Sequence, residues 1–353
     1  MKRRLSLFLF MLFGTVCALV SCNGKTNDDT RLARVRIGGK IGFIDKTGEI
    51  VIIPQVDGVD NFSEGLARVL IGNPFSCKWG FIDKTGKMVI KPQFDFADNF
   101  SDGLTRVRKN GKYGFIDKTG KMVIDPQLDA VDHFSEGLAF IGDEESGKWG
   151  FIDKTGKMVI KPQFDFVDNF SEELAAVCIF DTLGDDKWGF IDKTGEIVIN
   201  LQFDMAWNFS EGLAQVRKNG KLGFIDKTGT MAINPQFIWA DPFSEGLAWV
   251  IINGKRGLID KTGKMVIDPQ FDEADAFSEG LACVRKNGKW GFIDKTGTMV
   301  INPQFDEVSH FSEGLAAVRI GDEESGKWGF IDKTGKMVMK PQFDEAECFK
   351  KVE

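Results

Sequence analysis

The sequence predicts an all-β protein: a tandem array of nine small β-meander repeats stacked into an open solenoid or superhelix. Three observations support this fold class: a recurring string, a constant spacing after it, and Gly-rich turns between short apolar runs. A period of about 34 residues is typical of repeat architectures, in which each unit buries its apolar face on its neighbours. The string is GFIDKTG and begins at Gly42, Gly80, Gly114, Gly150, Gly189, Gly223, Gly291 and Gly329, and as GLIDKTG at Gly257.

Insertions are confined to one place in each repeat. The distance from the first Gly of this string to the Leu of the next FSEGLA or its equivalent is constant, as from Gly42 to Leu66 and from Gly291 to Leu315. The distance from that Leu to the next string varies. A packed repeat is expected to behave in this way, because an insertion inside the packed stretch would shift its register against both neighbours.

The repeat that begins at Leu281 shows the expected local structure. Its LACVRK run alternates like a half-buried strand, Asn287-Gly288 supplies a two-residue hairpin turn, and KWGFID returns as a second strand. Asp294 is expected to cap the following DKTG turn, in which Gly accepts a left-handed conformation. TMVINPQF is the third strand, and residues 307–314 are expected to form a corner. Each unit is therefore predicted to be a three-stranded meander.

A closed propeller-like ring is the alternative architecture. Propellers typically have four to eight blades of four strands and about 40 residues each, so nine short units favour the open array. Helical repeats of the same period are excluded, because Gly-rich strings such as GKWGFIDKTGK do not provide ten helical residues. We expect residues 31–349 to form one domain of nine repeats and residues 350–353 to be a C-terminal tail.

The first 30 residues carry the pattern of an export signal. Residues 2–4 are basic, a short apolar run follows, and residues 19–22 read Leu-Val-Ser-Cys, with the small residues of a cleavage site. The apolar run is shorter than the roughly 20 residues that a membrane-spanning helix needs. The pattern resembles the lipobox of bacterial lipoproteins, which implies a signal peptide over residues 1–21, a lipid on Cys22 and a polar tether over residues 22–30. An ordinary secretory signal is the alternative.

A lipid on Cys22 would make the membrane a partner and place the protein in the bacterial cell envelope. Asn23 follows Cys22, whereas Asp at this position is associated with inner-membrane retention in enteric bacteria. We therefore expect the outer membrane in a host with two membranes, with exposure at the cell surface as an open alternative.

Charge and cysteine usage exclude several classes of partner. Removing residues 1–21 removes three cations and no acid, so the formal net charge of −7 becomes more negative. An acidic chain is not expected to bind nucleic acid, which requires a basic surface. Four cysteines, Cys77, Cys178, Cys283 and Cys348, lie at four different repeat positions without CxxC spacing. We therefore expect no zinc site, no other metal and no cofactor, whereas the pairing of these cysteines is left open.

The segment KWGFIDKTGKMVIKPQF, from Lys148 to Phe164, resembles the WG (KWG) repeat family of bacterial proteins, and the resemblance extends over nearly all of residues 31–349. It implies a tandem β-repeat that is commonly exported and has no common activity or catalytic residues. The signature Trp is replaced by Ile41, Tyr113, Leu222 and Arg256. Because Arg256 places a charge where the other units pack a large side chain, the seventh unit is predicted to be locally open.

No residue pattern indicates catalysis. The ninefold Asp of FIDKTG is followed by Lys and has no second acid at calcium-loop spacing, so we interpret it as a turn cap. His133 and His310 occupy one repeat position and have no Ser or Cys nucleophile beside them by motif. The protein is therefore predicted not to be an enzyme.

Positions that vary between otherwise identical units are better candidates for ligand binding. Three tryptophans in units five to seven fall outside the signature position and are predicted platforms for sugar rings or anchors for a protein. Extra core packing is the alternative for the tryptophans, and a solvated cationic face is the alternative for the varying arginines. The ligand-binding candidates are Trp207, Trp239, Trp249, Arg256, Arg217 and Arg285.

These observations predict a membrane-anchored, extracytoplasmic protein that acts as a non-catalytic binding scaffold for a protein or an envelope component. The alternative is a lipoprotein that binds carbohydrate or the cell wall through Trp207, Trp239 and Trp249. A structural spacer is a lesser alternative.

Overall fold

A computed structural model describes residues 31–56, 58–72, 77–180 and 186–351. Cys22 and the predicted signal and tether lie outside these ranges. Within them, no helix is long and apolar enough to cross a membrane. The regular structure of the described ranges is β throughout.

In chain order the strands are β1 Arg31–Ile37, β2 Lys40–Ile44, β3 Ile50–Val56, β4 Gly58–Val59, β5 Leu66–Ile71, β6 Lys78–Asp83, β7 Met88–Phe94, β8 Phe96–Ala97, β9 Leu104–Lys109, β10 Lys112–Asp117, β11 Met122–Leu128, β12 Ala130–Val131, β13 Leu138–Asp143, β14 Lys148–Asp153, β15 Met158–Phe164, β16 Phe166–Val167, β17 Ala175–Ile179, β18 Lys187–Ile191 and β19 Ile197–Phe203. They continue as β20 Met205–Ser210, β21 Leu213–Lys218, β22 Lys221–Asp226, β23 Met231–Phe237, β24 Trp239–Ala240, β25 Leu247–Ile252, β26 Lys255–Asp260, β27 Met265–Phe271, β28 Glu273–Ala274, β29 Leu281–Lys286, β30 Lys289–Asp294, β31 Met299–Phe305, β32 Glu307–Val308, β33 Leu315–Ile320, β34 Lys327–Asp332, β35 Met337–Phe343, β36 Glu345–Ala346 and β37 Lys350–Lys351.

These strands form nine antiparallel sheets, which are the nine blades of a β-propeller. Blades 2 to 9 take four consecutive strands each, from β4–β7 for blade 2 to β32–β35 for blade 9. Blade 1 combines β1, β2 and β3 with β36 from the C-terminus. We call the first strand of each blade the short strand, because it is the shortest strand in every blade except blade 6. The second, third and fourth strands follow in sheet order.

The prediction of three strands per unit is wrong, because each blade has four. Part of the expected corner forms the short strand: Glu307 and Val308 pair with Arg319 and Val318 of the second strand. Two residues are too few to show the alternation by which a strand is predicted from sequence. The pairing partner lies several residues further along the chain, so the strand becomes visible only in the folded sheet.

The predicted open array is also wrong, and the closed ring is confirmed. In β36, Ala346 pairs with Val35 and Glu345 pairs with Arg36 of β1. Residues 350–351, which we expected to belong to a tail, form β37 and pair with Leu32 and Arg31. The last residues of the chain therefore complete the first blade.

The hydrophobic core is divided among the interfaces between neighbouring blades. An open array of nine units would have eight such interfaces, whereas the structure has a ninth between blade 9 and blade 1. Val35 and Phe349 of blade 1 pack there with Phe330 and Phe343 of blade 9. Phe349 is completely buried, and its ring centroid lies 5.1 Å from that of Phe330. Closure thus buries the apolar faces that an open array would leave exposed at its two ends.

The DKTG turns confirm the predicted cap. Asp294 Oδ1 accepts hydrogen bonds from Thr296 N at 2.9 Å, Thr296 Oγ1 at 2.6 Å and Thr298 N at 3.0 Å. The Thr296 hydroxyl, in the main, holds the pKa of Asp294 below its ordinary value. The same three contacts recur in all nine turns. This carboxylate is therefore part of the scaffold.

The glycine of the WG signature is required by a close backbone approach. The ladder between the third and fourth strands shifts register at this point, between Trp290 and Phe292 in blade 8. A Cβ on Gly291 would lie 2.4 Å from Ile301 O and 2.6 Å from Pro303 N. The bulge therefore excludes any side chain at this position.

The FSEG corners join each blade to the next. Glu279 of blade 8 accepts hydrogen bonds from the backbone N–H groups of Glu313 and Gly314 in blade 9, and it lies 3.1 Å from Lys333 Nζ. Burial favours the neutral form of Glu279, but these N–H groups and Lys333 outweigh it and lower the pKa of the carboxyl. The side chain thus fixes the spacing of neighbouring blades.

Candidate functional site

One repeated position divides the ring into two chemically different parts. It is the first residue of each short strand, and we call it the short-strand position. From blade 1 to blade 9 it is occupied by Glu345, Gly58, Phe96, Ala130, Phe166, Met205, Trp239, Glu273 and Glu307. In blades 8, 9 and 1 its Glu pairs with an Arg on the second strand, as Glu273 does with Arg285 at 2.6 Å. Blades 3, 5 and 7 carry an aromatic side chain instead.

The aromatic side chain of blade 5 belongs to an exposed cluster. Phe166 is 51% exposed and Phe180, at the end of the second strand, is 48% exposed. Their ring centroids lie 5.5 Å apart in an edge-to-face arrangement, and Trp188 stacks on Phe166 at 6.3 Å. The cluster is therefore an ordered apolar surface, because three rings support one another.

Blade 7 has a second exposed apolar pair, Ile238 and Trp239, with exposures of 69% and 49%. In blades 3, 4, 5, 6, 8, 9 and 1 the residue before the short strand is an Asp that pairs with the first Lys of a third strand, as Asp272 does with Lys255. Ile238 stands at this position before blade 7. The corresponding lysine, Lys221, has no ion-pair partner among the described residues. Blade 7 has therefore exchanged a surface ion pair for an exposed apolar side chain.

A cavity lies beside this pair, between blades 6, 7 and 8. Its volume is about 500 Å³, and it is open to solvent. Asp241 joins the cavity to the exposed tryptophan, because its Oδ1 accepts a hydrogen bond from Trp239 Nε1 at 2.9 Å and its Oδ2 lies 2.7 Å from Arg256 Nη1. The lining residues are Ser210, Glu211, Asp241, Pro242, Phe243, Ser244, Arg256, Ala274, Asp275 and Ala276.

The three candidate tryptophans occupy different environments. Trp249 is only 2% exposed: its ring stacks on Phe277, and its Nε1 donates to Asp275 O at 2.7 Å. It therefore packs in the interface between blades 7 and 8, and the structure corrects the prediction that it is an exposed platform. Trp207 is half-buried in blade 6, and only Trp239 presents a large exposed surface.

The three candidate arginines also differ. Arg256 lines the cavity and pairs with Asp241. Arg217 lies over the Trp207 ring, with its Cζ 5.8 Å from the ring centroid, and Arg285 pairs with Glu273 away from the cavity. The prediction that the seventh unit is locally open is wrong for its strand ladders, because β26 pairs along its whole length with β25 and, through a bulge, with β27. Asp241 neutralises Arg256 and allows the blade to form around it.

The variable residue of the LAxV strand serves packing between blades rather than ligand binding. Its side chain often reaches a backbone carbonyl of the next blade: Arg34 Nη1 donates to Val59 O at 3.1 Å, and Gln215 donates to Ala240 O. Trp249 occupies the same position and donates to Asp275 O, one residue beyond the short strand of blade 8. This contact explains why a tryptophan at this position is buried.

One histidine lies beside a carboxylate and the other lies beside a cysteine thiol. His133 Nδ1 lies 3.1 Å from Asp132 Oδ1, and this hydrogen bond is the main reason that the pKa of Asp132 falls to about 2. His310 Nε2 lies 3.3 Å from Cys348 Sγ, and burial raises the pKa of that thiol. A thiol with a raised pKa is a poor nucleophile. The described cysteines are Cys77, Cys178, Cys283 and Cys348, and all four are unpaired. In the part of the chain that the structure describes, no group of three His, Cys, Asp or Glu residues is arranged to hold a metal ion.

Phe166, Phe180, Ile238 and Asp241 were not predicted from sequence. For Phe166 and Ile238 the sequence does carry a signal, in the two residues that follow PQF. These residues are Asp-Glu in the last three copies, Asp-Phe before blade 5 and Ile-Trp before blade 7. By its residues alone this stretch is typical of an irregular corner, in which variation between units carries no structural meaning. The register of the short strand shows that these residues occupy one equivalent position in every blade.

The fold and the site together define a nine-bladed β-propeller with a regular scaffold and an irregular surface on blades 5 and 7. A family model, the WG containing repeat, matches residues 41–73, 79–113, 113–142, 149–179, 188–221, 223–255, 257–290, 290–323 and 328–351. The chain belongs to this family. A comparison with curated proteins finds no match.

Among solved structures, the chain is similar to the extracellular domain of the putative hybrid two component system BT3049 from B. thetaiotaomicron. The identity is 9%, and the TM-score is 0.26. The match covers 86% of this chain and 54% of that structure, so the chain spans about half of its length. A likeness at this level carries no argument about function.

Proposed function

We propose that the protein is a non-catalytic binding scaffold, anchored to a bacterial membrane through a lipid on Cys22, that binds a protein or an envelope polymer through blades 5 and 7. The supporting observation is the internal comparison at the short-strand position. Blades 8, 9 and 1 fold with an ion-paired Glu there, whereas blades 5 and 7 expose Phe166 and Trp239. The propeller does not need an aromatic side chain at this position to fold.

The exposed side chains also have the composition of a recognition surface. Aromatic side chains are enriched where proteins bind partners, because they present a large apolar area with few rotatable bonds. Phe166 and Phe180 support each other on blade 5, and Ile238 and Trp239 lie together on blade 7. Isolated exposed apolar residues need no explanation, but exposed aromatic side chains that recur at one repeated position, each beside a second exposed apolar residue, do.

Carbohydrate or cell-wall binding is the second candidate function. It is favoured by Trp239, which is exposed and hydrogen-bonded to a carboxylate that also lines the neighbouring cavity. Trp249 does not contribute a platform because it is buried.

The binding test uses the full-length chain, purified in detergent, and isolated bacterial cell envelopes. We expect saturable binding that falls at least tenfold in a Phe166→Glu, Trp239→Glu variant. The matched control is Glu307→Gln, which changes the same position in blade 9 and should leave binding unchanged. Wild-type binding that does not saturate, or that the double variant retains, would exclude this surface as the binding site.

The anchoring proposal is tested separately. A Cys22→Ala variant should lose incorporation of radiolabelled palmitate and leave the membrane fraction. A variant that still incorporates palmitate and stays in the membrane fraction would show that the chain is not a lipoprotein anchored at Cys22.

A further inference from the structure

Departures from the repeat pattern are concentrated around the cavity between blades 6, 7 and 8. Ile238 replaces the Asp of the other units, and Trp239 occupies the position that is Glu in blades 8, 9 and 1. Pro242 stands where four other units have Asn, and Arg256 replaces the signature Trp. Pro242 and Arg256 line the cavity, and Trp239 is bonded to Asp241 in its wall. Two of these four substitutions line the cavity and a third is hydrogen-bonded to its wall, which indicates a site rather than a random distribution of changes.

The cavity offers hydrogen-bond acceptors that are not already neutralised. The Asp275 carboxylate accepts a bond from Ala276 N at 2.8 Å and has no ion-pair partner among the described residues. Ser210 Oγ and Ser244 Oγ donate to Phe243 O and Phe277 O, which leaves the lone pairs of both hydroxyl oxygens to accept from a ligand.

The cavity also offers donors and an apolar wall. Arg256 donates to Asp241 through Nη1, and this bond holds the guanidinium in place. Its other N–H groups remain as donors of fixed orientation. Pro242, Phe243, Ala274 and Ala276 supply the apolar part of the lining. A volume of about 500 Å³ lies within the range of about 300–1,000 Å³ that is usual for small-molecule sites.

From this geometry we propose that the cavity and the Trp239 ring form a binding site for a neutral oligosaccharide. This inference rests on the proposed binding function and names the ligand class for blade 7. The hydroxyl groups of a sugar both donate and accept, which matches a lining with Asp275, the serine hydroxyls and Arg256. The apolar face of a pyranose ring matches the exposed indole of Trp239.

Charge distinguishes this ligand class from others. Glu211, Asp241 and Asp275 oppose an anionic ligand, and Arg256 balances only Asp241. Glu211 is itself engaged, by Gly246 N at 2.8 Å and Lys261 at 3.2 Å. A neutral ligand avoids this repulsion and loses less hydration than an ion on entering the cavity.

The experiment titrates five neutral hexasaccharides into the full-length chain in a detergent without a sugar headgroup, by calorimetry and tryptophan fluorescence. The probes are cellohexaose, maltohexaose, xylohexaose, mannohexaose and chitohexaose. We expect at least one to bind with a stoichiometry of about one. The affinity should fall at least tenfold in a Trp239→Glu, Arg256→Trp variant, which restores the pattern of the other blades and should therefore fold.

Two controls separate this inference from the proposed function. Glu307→Gln on blade 9 should leave oligosaccharide binding unchanged, and Trp239→Phe should retain most of it because the stacking face is kept. Absence of binding for all five probes, or binding that the Trp239→Glu, Arg256→Trp variant retains, overturns the inference. If the chain then still binds envelopes saturably and loses this on Phe166→Glu, the proposed function stands with another ligand; if envelope binding is also absent, both fail.

Discussion

Closure of the ring predicts that a substitution near the C-terminus destabilises the first strand of the chain. Phe349→Ala removes a completely buried ring from the interface between blades 9 and 1. Val35 of β1 packs in the same cluster, although it lies more than 300 positions earlier in the sequence. In an open array these residues would belong to opposite ends and would not influence each other.

The expected magnitude follows from the burial. Replacing a fully buried Phe with Ala costs about 3–5 kcal/mol, because apolar contacts are lost and a cavity remains. At about 1.4 kcal/mol for each factor of ten, the protection of β1 amides against hydrogen exchange should fall by roughly two to four orders of magnitude. Native-state hydrogen exchange with peptide-level resolution over residues 31–37 measures this change.

The matched control is Phe311→Ala, which removes the equivalent ring from the interface between blades 8 and 9. Phe311 is also completely buried, and its centroid lies 4.8 Å from that of Phe292. It should lower protection in β30 and leave β1 nearly unchanged. Full protection of β1 in Phe349→Ala, or an equal loss in both variants, would refute closure through this interface.

Three further predictions concern the scaffold. Gly291→Ala should destabilise the chain by about 3 kcal/mol or more, because the new Cβ would lie 2.4 Å from a backbone oxygen. Gly288→Ala should cost about 1–2 kcal/mol, because the space around Gly288 is open and only its φ of +81° is unfavourable. Equal urea midpoints for the two variants would contradict this prediction. Glu279→Ala should cost about 1–3 kcal/mol by leaving two N–H groups of blade 9 without an acceptor, and Glu279→Gln should cost less, as thermal unfolding would show. The pKa of Asp132 is lowered from 3.8 to about 2 in the folded chain, so its contribution to stability should be present above pH 3.8 and lost as the pH falls toward 2. The urea midpoint of the wild type should therefore fall over this pH range, and the fall should be smaller in Asp132→Asn. The same pH profile in both proteins would contradict this prediction.

Local features of the fold were predictable because their causes are local. The DKTG cap joins atoms no more than four positions apart, so the pattern Asp-Lys-Thr-Gly is sufficient to predict it. The hairpin at Asn287-Gly288 and the flanking strands follow in the same way from turn residues and alternation. The short strand was not predictable, because a two-residue strand carries no periodicity and is defined only by its partner.

The candidate site was predicted in part, for a comparable reason. Composition marks Trp207, Trp239 and Trp249 as surplus tryptophans, but residue type does not determine which side of a blade a side chain faces. Trp239 begins a short strand and is half exposed, whereas Trp249 lies in the adjacent second strand and reaches into the next blade. The decision depends on register and on the neighbouring blade, which are not local properties.

The sequence by itself determined that this protein is a nine-unit β-repeat with capped turns, a constant packed segment and an excess of acidic over basic residues. The tertiary structure alone decided that the array closes, because closure depends on the small rotation between successive blades, accumulated over the whole ring. No single repeat shows that rotation in its residues. It brings Phe349 to Phe330 and completes blade 1 with β36, whereas strand pairing inside blade 7 places Asp241 beside Trp239 and Arg256.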